Sequence, residues 1–312
     1  MILRKYELYI GENTSVNEQL ASPVSGQADN KNKPSLRDVN KADFVRIVDN
    51  HIECSISFSK EGKGSKTKEH VITVYNPDDL FLSKAKAKNM VVLAAGYNTS
   101  YDLPLIFASD IKSVETQTLG VNKTVKIVCV EAYQARKRIN YVKTFNKNTK
   151  YKDIINDMIS VFASYGVGLG KFTESKKAGS QVNTSKPFTG LITKSMDKIC
   201  SASGHRWFIA SGLLFVEPII QDLSTIEAYK ITEDMVIETV ESSDDISNKS
   251  KDEQSTKTKG VKFKVFLNGN ISVSDGVEIA FGDYQGLYLV KEVRHSLSYE
   301  GGEWLTTVEA RA

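Results

Sequence analysis

Residues 62–67, Gly-Lys-Gly-Ser-Lys-Thr, bring glycines, lysines and hydroxyls together as a phosphate-cradling loop does. The order does not suit that chemistry. A phosphate loop runs Gly-x-x-x-x-Gly-Lys-Ser/Thr, and here Ser65 stands where Lys should follow Gly64, so the stretch reads as a solvated loop between two strands. Gly166-Val-Gly-Leu-Gly170 has the glycines of a dinucleotide fingerprint but follows a helical pattern, not a strand, and reads as a helix stop leading into a flexible loop. The most basic stretch holds Arg136-Lys-Arg138, Lys143, Lys147, Lys150 and Lys152, with Tyr133 and Tyr141 between them. Cations on one face grip phosphates and aromatic rings stack on bases, so DNA binding is one reading. Glu131 beside the cluster favours the other, a solvated surface or a contact with an acidic protein.

No nucleophile has a visible base. The serines lie in no Gly-x-Ser-x-Gly elbow. Cys54, Cys129 and Cys200 sit in apolar patterns where a small buried residue is expected, and three distant cysteines outline neither a disulfide framework nor a CxxC knuckle. The four histidines show no metal-ligand spacing, and His205 and His295 read as hydrogen-bonded structural residues. Asp244-Asp245 and Asp252-Glu253 belong to a polar stretch, with no pocket to shift the pKa of a general acid. The expectation is therefore a non-enzyme with no catalytic, cofactor-binding or metal-binding residues and no cofactor. Lys+Arg is 41 against Asp+Glu 38, a net charge of +3, which is unlike a chain built to coat nucleic acid. At 312 residues, 40% hydrophobic and 25% charged, the chain is globular and longer than one small domain. It has no apolar run long enough to span a bilayer, and its start lacks the apolar core of a signal peptide.

The elements that must position these residues are mostly strands. Ile52, Cys54, Ile56 and Phe58 alternate with Glu53, Ser55, Ser57 and Ser59, a strand with one wet face. Val71–Tyr75, Met90–Ala95, Leu105–Phe107 and Val125–Val130 are β-branched or aromatic runs between turn signals. Near the C-terminus Val261, Phe263, Val265 and Leu267 alternate with more polar residues, and Val277–Phe281, Leu287–Leu297 and Trp304–Ala310 follow. The middle is different. Tyr151, Ile154, Ile155, Met158, Ile159 and Phe162 recur at helical spacing after Asn148-Thr149 as N-cap, and Gly166 ends the element. Phe188, Leu191, Ile192, Met196 and Ile199 predict a second helix stopped at Gly204, and Arg206–Ile209 with Leu213–Val216 predict a hairpin about Ala210-Ser-Gly212. Polar stretches at 11–43, 170–187 and 241–259 read as loops. The predicted order is a first β domain at 1–145 containing the long loop 11–43, an α+β insertion at 146–240, a polar linker or loop at 241–259, and a second β domain at 260–312.

Val91-Val-Leu-Ala-Ala-Gly-Tyr97 matches Val277-Glu-Ile-Ala-Phe-Gly-Asp283, and Leu105-Ile-Phe-Ala-Ser-Asp-Ile-Lys112 matches Leu287-Tyr-Leu-Val-Lys-Glu-Val-Arg294 in character. The offset is 186 before the intervening turn (277 minus 91) and 182 after it (287 minus 105), so one four-residue gap reconciles the blocks. Any two β-hairpins share something of this pattern. The sharper reading is a duplicated β domain with the helical unit inserted between its copies.

The blocks and the insertion together resemble the baseplate central hub family of contractile phage tails and related injection particles. The resemblance rests on Asp275-Gly-Val-Glu-Ile279 and Tyr288-Leu-Val-Lys-Glu-Val-Arg-His295 in the second copy. In the first it rests on Ile72-Thr-Val-Tyr-Asn76, Val92-Leu-Ala-Ala-Gly-Tyr97 and Ile106-Phe-Ala-Ser-Asp-Ile111. It implies a mainly β fold in which two similar β-barrel-like tube domains flank a small helical and hairpin domain; with the sequence running to Ala312, neither the lysozyme domain nor the β-helical spike that some related proteins carry fused is expected. It implies a structural role: a homotrimer whose six quasi-equivalent units form a ring joining the tail tube to the central spike around an exit channel. The implied partners are tail tube protein, spike protein, other baseplate proteins and a tape measure protein, with DNA or an effector only as transiting cargo and no stable membrane insertion. The implied location is the virion tail baseplate, assembled in the host cytoplasm. Ser55, Ser57 and Ser59 are the candidate lining of the water-filled channel. A tail-associated cell-wall-degrading enzyme and a DNA-binding tail component are the alternatives.

Overall fold

The structure, a computed structural model, describes residues 3–12, 44–60, 64, 68–99, 103–221, 223, 226, 228–245 and 258–312, with 239–245 and 258–259 described by backbone alone. The loop read at 11–43 falls, from residue 13 onward, outside the described residues. The chain opens with β1 (Arg4–Gly11), β2 (Phe44–Ile47), β3 (Ile52–Ser59), β4 (Glu69–Tyr75), α1 (Asp79–Lys84), β5 (Met90–Tyr97), β6 (Leu105–Leu119) and β7 (Asn122–Val130). Next come α2 (Tyr133–Arg138), β8 (Lys143–Phe145), α3 (Tyr151–Ala163), β9 (Gly168–Phe172), β10 (Lys186–Phe188), α4 (Ile192–Ser203), β11 (His205–Ala210) and β12 (Leu213–Pro218). It closes with β13 (Ala228–Ile231), β14 (Val236–Asp245), β15 (Thr258–Phe266), β16 (Gly276–Ile279), β17 (Gly286–Ser298) and β18 (Trp304–Arg311).

Thirteen strands share one sheet in the order β14-β15-β18-β17-β3-β4-β7-β6-β5-β1-β2, with β16 on β17 and β13 on β16. Among these pairings only β13 with β16 is parallel. The fold is mainly β, as the alternating runs predict. On β3, Ile52, Cys54, Ile56 and Phe58 are buried while Glu53 and Ser55 are exposed and Ser57 and Ser59 half-buried. Ile72 and Val74 on β4, Val125 and Ile127 on β7, Val293 on β17 and Val308 on β18 join them in one core.

The sheet contains the same strand order twice. The hairpin β3–β4 corresponds to β14–β15 and the meander β5-β6-β7 to β16-β17-β18, and β4 pairs with β7 as β15 pairs with β18. Even the irregularities correspond. The β6–β7 ladder shifts register between Ile111 and Ser113, and the β17–β18 ladder between Val290 and Glu292. Val91 lies opposite Ser109 and its counterpart Val277 opposite Tyr288, so the first offset of 186 holds. The second offset is 179 (288 minus 109) rather than 182, which corrects the gap in the turn from four residues to seven (186 minus 179). The cause is burial on both faces. Ile106 through Ile111 are all buried, so alternation, the usual register signal, is missing there.

Between the two copies sits the inserted unit. α3 buries Ile154, Ile155, Met158, Ile159 and Phe162, and α4 buries Ile192, Met196, Ile199 and Cys200, in a core shared with Trp207, Ile209, Leu214 and Val216. Two boundaries differ from the prediction. Lys150 rather than Asn148-Thr149 is the N-cap of α3, because Asn148 takes a left-handed φ of 72° in the preceding turn. Phe188 belongs to β10, its backbone paired with Lys143, so α4 begins only at Ile192 and ends at Gly204 with φ 71°.

Three loop readings are corrected. β14 and β15 run into the stretch 241–259, placing Glu241 opposite Lys262 and Asp244 opposite Lys259; residues 246–257 fall outside the described residues. A sheet edge satisfies backbone groups by pairing alone, so a polar sequence can hold strand structure there. The glycines after α3 enter β9, which pairs in parallel with β12, rather than a flexible loop. In the 62–67 loop, of which only Gly64 is described, that glycine is buried against Trp207.

Candidate assembly surface

The outward residues of β3 belong to a polar face that runs across both copies. Ser57 lies opposite Arg294, Arg294 opposite Thr307, and Thr307 opposite Lys264. A parallel row places Ser55 between Ser296 and Val71. A third runs from Ser298 through Glu53, Thr73 and Lys126 to Glu115. Period-2 alternation puts these residues on one side and the apolar core on the other. Glu53, Ser55, Thr73, Arg294, Ser296 and Ser298 line an open groove of about 560 Å³ along the seam between β17 and β3. The charges along the face are of both signs and locally paired. Lys264 meets Glu238 at 2.9 Å, Lys68 meets Glu292 at 3.1 Å, and Lys112 meets Glu69. Short hydroxyls and neutralised charges make a hydrated surface without a strong field.

The hairpin β11–β12 fixes the insertion to this sheet. Phe208 and Phe215 stack at 5.0 Å and join the sheet's core, while Trp207, Ile209, Leu214 and Val216 join the helical core. Its turn has positive φ at both Ser211 (50°) and Gly212 (77°), the conformation that suits a two-residue hairpin loop. The Glu131 carboxylate accepts both turn N–H groups, at 3.1 Å each. Burial pushes its pKa up to about 8, against the lowering effect of those hydrogen bonds and of Arg136. At the other end, Glu217 is fully buried and accepts a 2.6 Å hydrogen bond from the Ser274 hydroxyl, in the second copy.

The structure disperses the basic stretch. Arg136 is buried, donating to the carbonyls of Glu131 (2.9 Å) and Gly64 and lying 5.3 Å from the Trp207 ring centre. Lys143 pairs with Asp157, and Lys152 with Glu174 at 3.2 Å. Tyr141 donates to Asp157 at 2.6 Å, and Lys137 stands over Tyr133. Arg136, Lys143 and Lys152 are thus held by internal partners, whereas Arg138, Lys147 and Lys150 are exposed. Cys54, Cys129 and Cys200 are buried free thiols, and burial raises their pKa values, that of Cys54 to about 12. The His205 ring accepts the Ser175 N–H at 3.0 Å through Nε2, which leaves Nδ1–H to donate to the Ser203 hydroxyl at 2.8 Å. His295 Nδ1 is 3.0 Å from the Thr306 hydroxyl. Among the described residues, no three or more His, Cys, Asp or Glu side chains stand together as a metal cluster would, and no helix is long and apolar enough to cross a membrane. Asp244 and Asp245 lie in β14, and Asp252-Glu253 lie outside the described residues. Sequence reasoning missed Glu131, Glu217 and Ser274 as anchors, since nothing local marks a carboxylate for a turn 80 residues away.

No family model matches the chain, and no curated protein matches it by sequence. Solved structures do match. The 43 kDa tail protein of prophage MuSo2 from Shewanella oneidensis superposes with a TM-score of 0.56 at 8% identity, covering 85% of this chain and 93% of that one. The tail protein of Neisseria meningitidis MC58 gives 0.56 at 8% identity, covering 84% of this chain and 95% of that one. The c3393 protein of E. coli is described as a component of the type VI secretion system structurally similar to the T4 tail proteins gp27 and gp5. It gives 0.54 at 10% identity and covers 84% of this chain and 72% of that one. The chain thus has the fold of phage tail proteins and of their counterpart in the type VI secretion system, the fold that its two β blocks imply.

Proposed function

We propose that this chain is a structural hub in the baseplate of a phage tail or tail-like particle. The observation that carries the reading is the duplicated strand order, joined edge to edge by β17 and β3 with one polar face across the seam. Three chains with two such units each place six quasi-equivalent units in a ring, which joins a sixfold tube to a threefold spike with a single interface type. In this reading the tail tube protein stacks on one side and the central spike protein on the other. The insertion faces other baseplate proteins, the tape measure protein ends nearby, and DNA or an effector passes through the channel. The polar face supports a channel wall, because a neutral hydrated surface does not hold what passes. The role is non-enzymatic and the location is the virion baseplate, assembled in the host cytoplasm. The engagement of Arg136, Lys143 and Lys152 in internal contacts weighs against a DNA-gripping role. Light scattering on the purified chain and cryo-microscopy of the particle test the reading, with a trimer and a quasi-sixfold ring as the expected results. A chain that stays monomeric with its tube and spike proteins present would overturn it.

A further inference from the structure

The small net charge of the chain conceals a strong internal division. Residues 132–218, which hold the helical core and its hairpin, carry 14 Lys+Arg against 5 Asp+Glu, a net charge of +9. The rest of the chain therefore carries −6 (3 minus 9). An excess of this size raises a positive potential over one part of the surface.

Five of these cations lie along one ladder. β8 pairs with β10, with Lys143 opposite Phe188 and Phe145 opposite Lys186. Beyond them the two segments stay together. The Asn148 N–H donates to the Val182 carbonyl at 2.9 Å, and Lys150 and Gln181 form an antiparallel bridge. The Tyr151 and Lys152 N–H groups donate to the Ser180 and Ala178 carbonyls at 3.0 Å each. Lys147, Lys150, Lys176 and Lys177 are exposed along these segments and Lys186 is half-buried. None of the five has an acidic partner among the described residues.

The neighbouring lysines show which chemistry suits the ladder. Lys143 is met by Asp157 and Lys152 by Glu174, so this surface pairs lysine with carboxylate wherever an acid is in reach. All five unpaired cations are lysines, whereas the forked guanidinium of arginine is the better match to phosphate. No aromatic ring is exposed along 143–152 or 176–188, so nothing there stacks on bases. Pro187 is the one exposed apolar side chain on the two segments, too little to enter a bilayer. Asn146, Asn148, Gln181 and Asn183 are exposed among the lysines and offer amides to a peptide backbone.

We propose that this ladder docks an acidic, extended segment of a partner protein, its carboxylates lying along Lys147, Lys150, Lys176, Lys177 and Lys186. The proposal deepens the hub reading, in which the insertion faces other baseplate proteins, and rests on it for the source of the partner. Clustered cations repel one another in the free chain, and an acidic segment relieves that repulsion as it forms its own pairs. Each exposed pair is weak alone, so binding needs several together and falls steeply with salt.

The test titrates the full-length chain into a fluorescein-labelled oligoglutamate peptide and follows anisotropy. The parent chain should bind, with an affinity that falls as salt rises. Lys147→Glu, Lys150→Glu and Lys177→Glu combined should weaken binding by at least about tenfold. Lys5→Glu, Lys86→Glu and Lys230→Glu combined change the net charge equally at exposed positions elsewhere, and should leave binding nearly unchanged. Lys147→Gln, Lys150→Gln and Lys177→Gln combined give the same ranking if the reversed charges impair folding. Equal loss in the two Glu variants, or no peptide binding at low salt, overturns the proposal. Tighter binding to a DNA duplex of equal charge, or to phosphatidylglycerol vesicles, overturns it in favour of that polyanion. Light scattering on the parent chain separates this proposal from the hub. A trimer that does not hold the peptide overturns the docking surface and leaves the hub standing. A chain that holds the peptide through these lysines, yet stays monomeric with its tube and spike proteins present, supports the docking surface and overturns the hub.

Discussion

The carboxylate of Glu131, just beyond β7, accepts the main-chain N–H of Gly212 at 3.1 Å, holding the tip of the inserted hairpin against the first β copy. Asp110 and Arg136 are the charged groups that act on it, one raising and one lowering its pKa. Burial outweighs both, so the folded-state value of about 8 stands above the ordinary 4.5. Folding therefore takes up a proton between those values. The stability from this group is complete below about pH 4.5 and is lost as pH rises to about 8, a change on the order of a few kcal/mol. Chemical denaturation across this range should show the decline, and Glu131→Gln should flatten it, since an amide does not titrate. An unchanged slope in the variant would show that another group is responsible.

Gly64 leaves no room for a side chain. A Cβ there would collide with the Trp207 carbonyl and indole ring, and the glycine's own carbonyl accepts from Arg136. Gly64→Ala should cost about 1–3 kcal/mol by overpacking. Trp207 fluorescence should report a shifted ring environment in the native baseline. A variant with unaltered melting and emission would mean that the loop yields freely.

Ser274 supplies a hydrogen bond to the fully buried Glu217. Ser274→Ala should destabilise by about 1–3 kcal/mol, because the carboxylate loses that donor without regaining water. Ser274→Gly also lacks the hydroxyl but suits the φ of 75° at this position, so its deficit relative to the parent chain isolates the hydrogen bond. A Gly variant as stable as the parent chain would assign the effect to backbone strain instead.

Ile56 and Ser57 are neighbours on opposite faces of β3. Ile56→Ala should cost about 2–5 kcal/mol through the cavity it leaves. Ser57→Ala should change stability by less than about 0.5 kcal/mol. Thermal melts of the pair give a direct reading of which face packs. On the proposed hub reading, Ser57→Phe should hinder passage through the assembled particle while leaving the free chain's melting unchanged. Full ejection by such particles would remove this face from the channel wall.

Much of the β framework is legible in the residues themselves. Alternation located β3 and β15, helical spacing located α3 and α4, and Ser211-Gly212 located the hairpin turn. The duplication was also legible, through Val91 and Val277. What failed did so where the local signal vanishes. β6 is buried on both faces at its start and exposed on both at its end, so neither its register nor its full length to Leu119 could be read from alternation. β14 and the start of β15 are polar because they form a sheet edge, which in sequence is indistinguishable from a loop. Arg136 looked like a surface cation because a buried guanidinium is set by its partners, Trp207 and the Glu131 and Gly64 carbonyls, which are distant in the chain.

The sequence by itself determined the secondary elements, the repeat and the absence of any recognisable catalytic spacing, since each depends on residues close together along the chain. Tertiary structure alone decided that β17 meets β3, that one core passes through both copies, and that Glu131 and Glu217 anchor the insertion at its two ends. Pairing between strands 240 residues apart is chosen by which edges remain open once the local hairpins have formed. That is a property of the folded sheet, and no stretch of the chain records it.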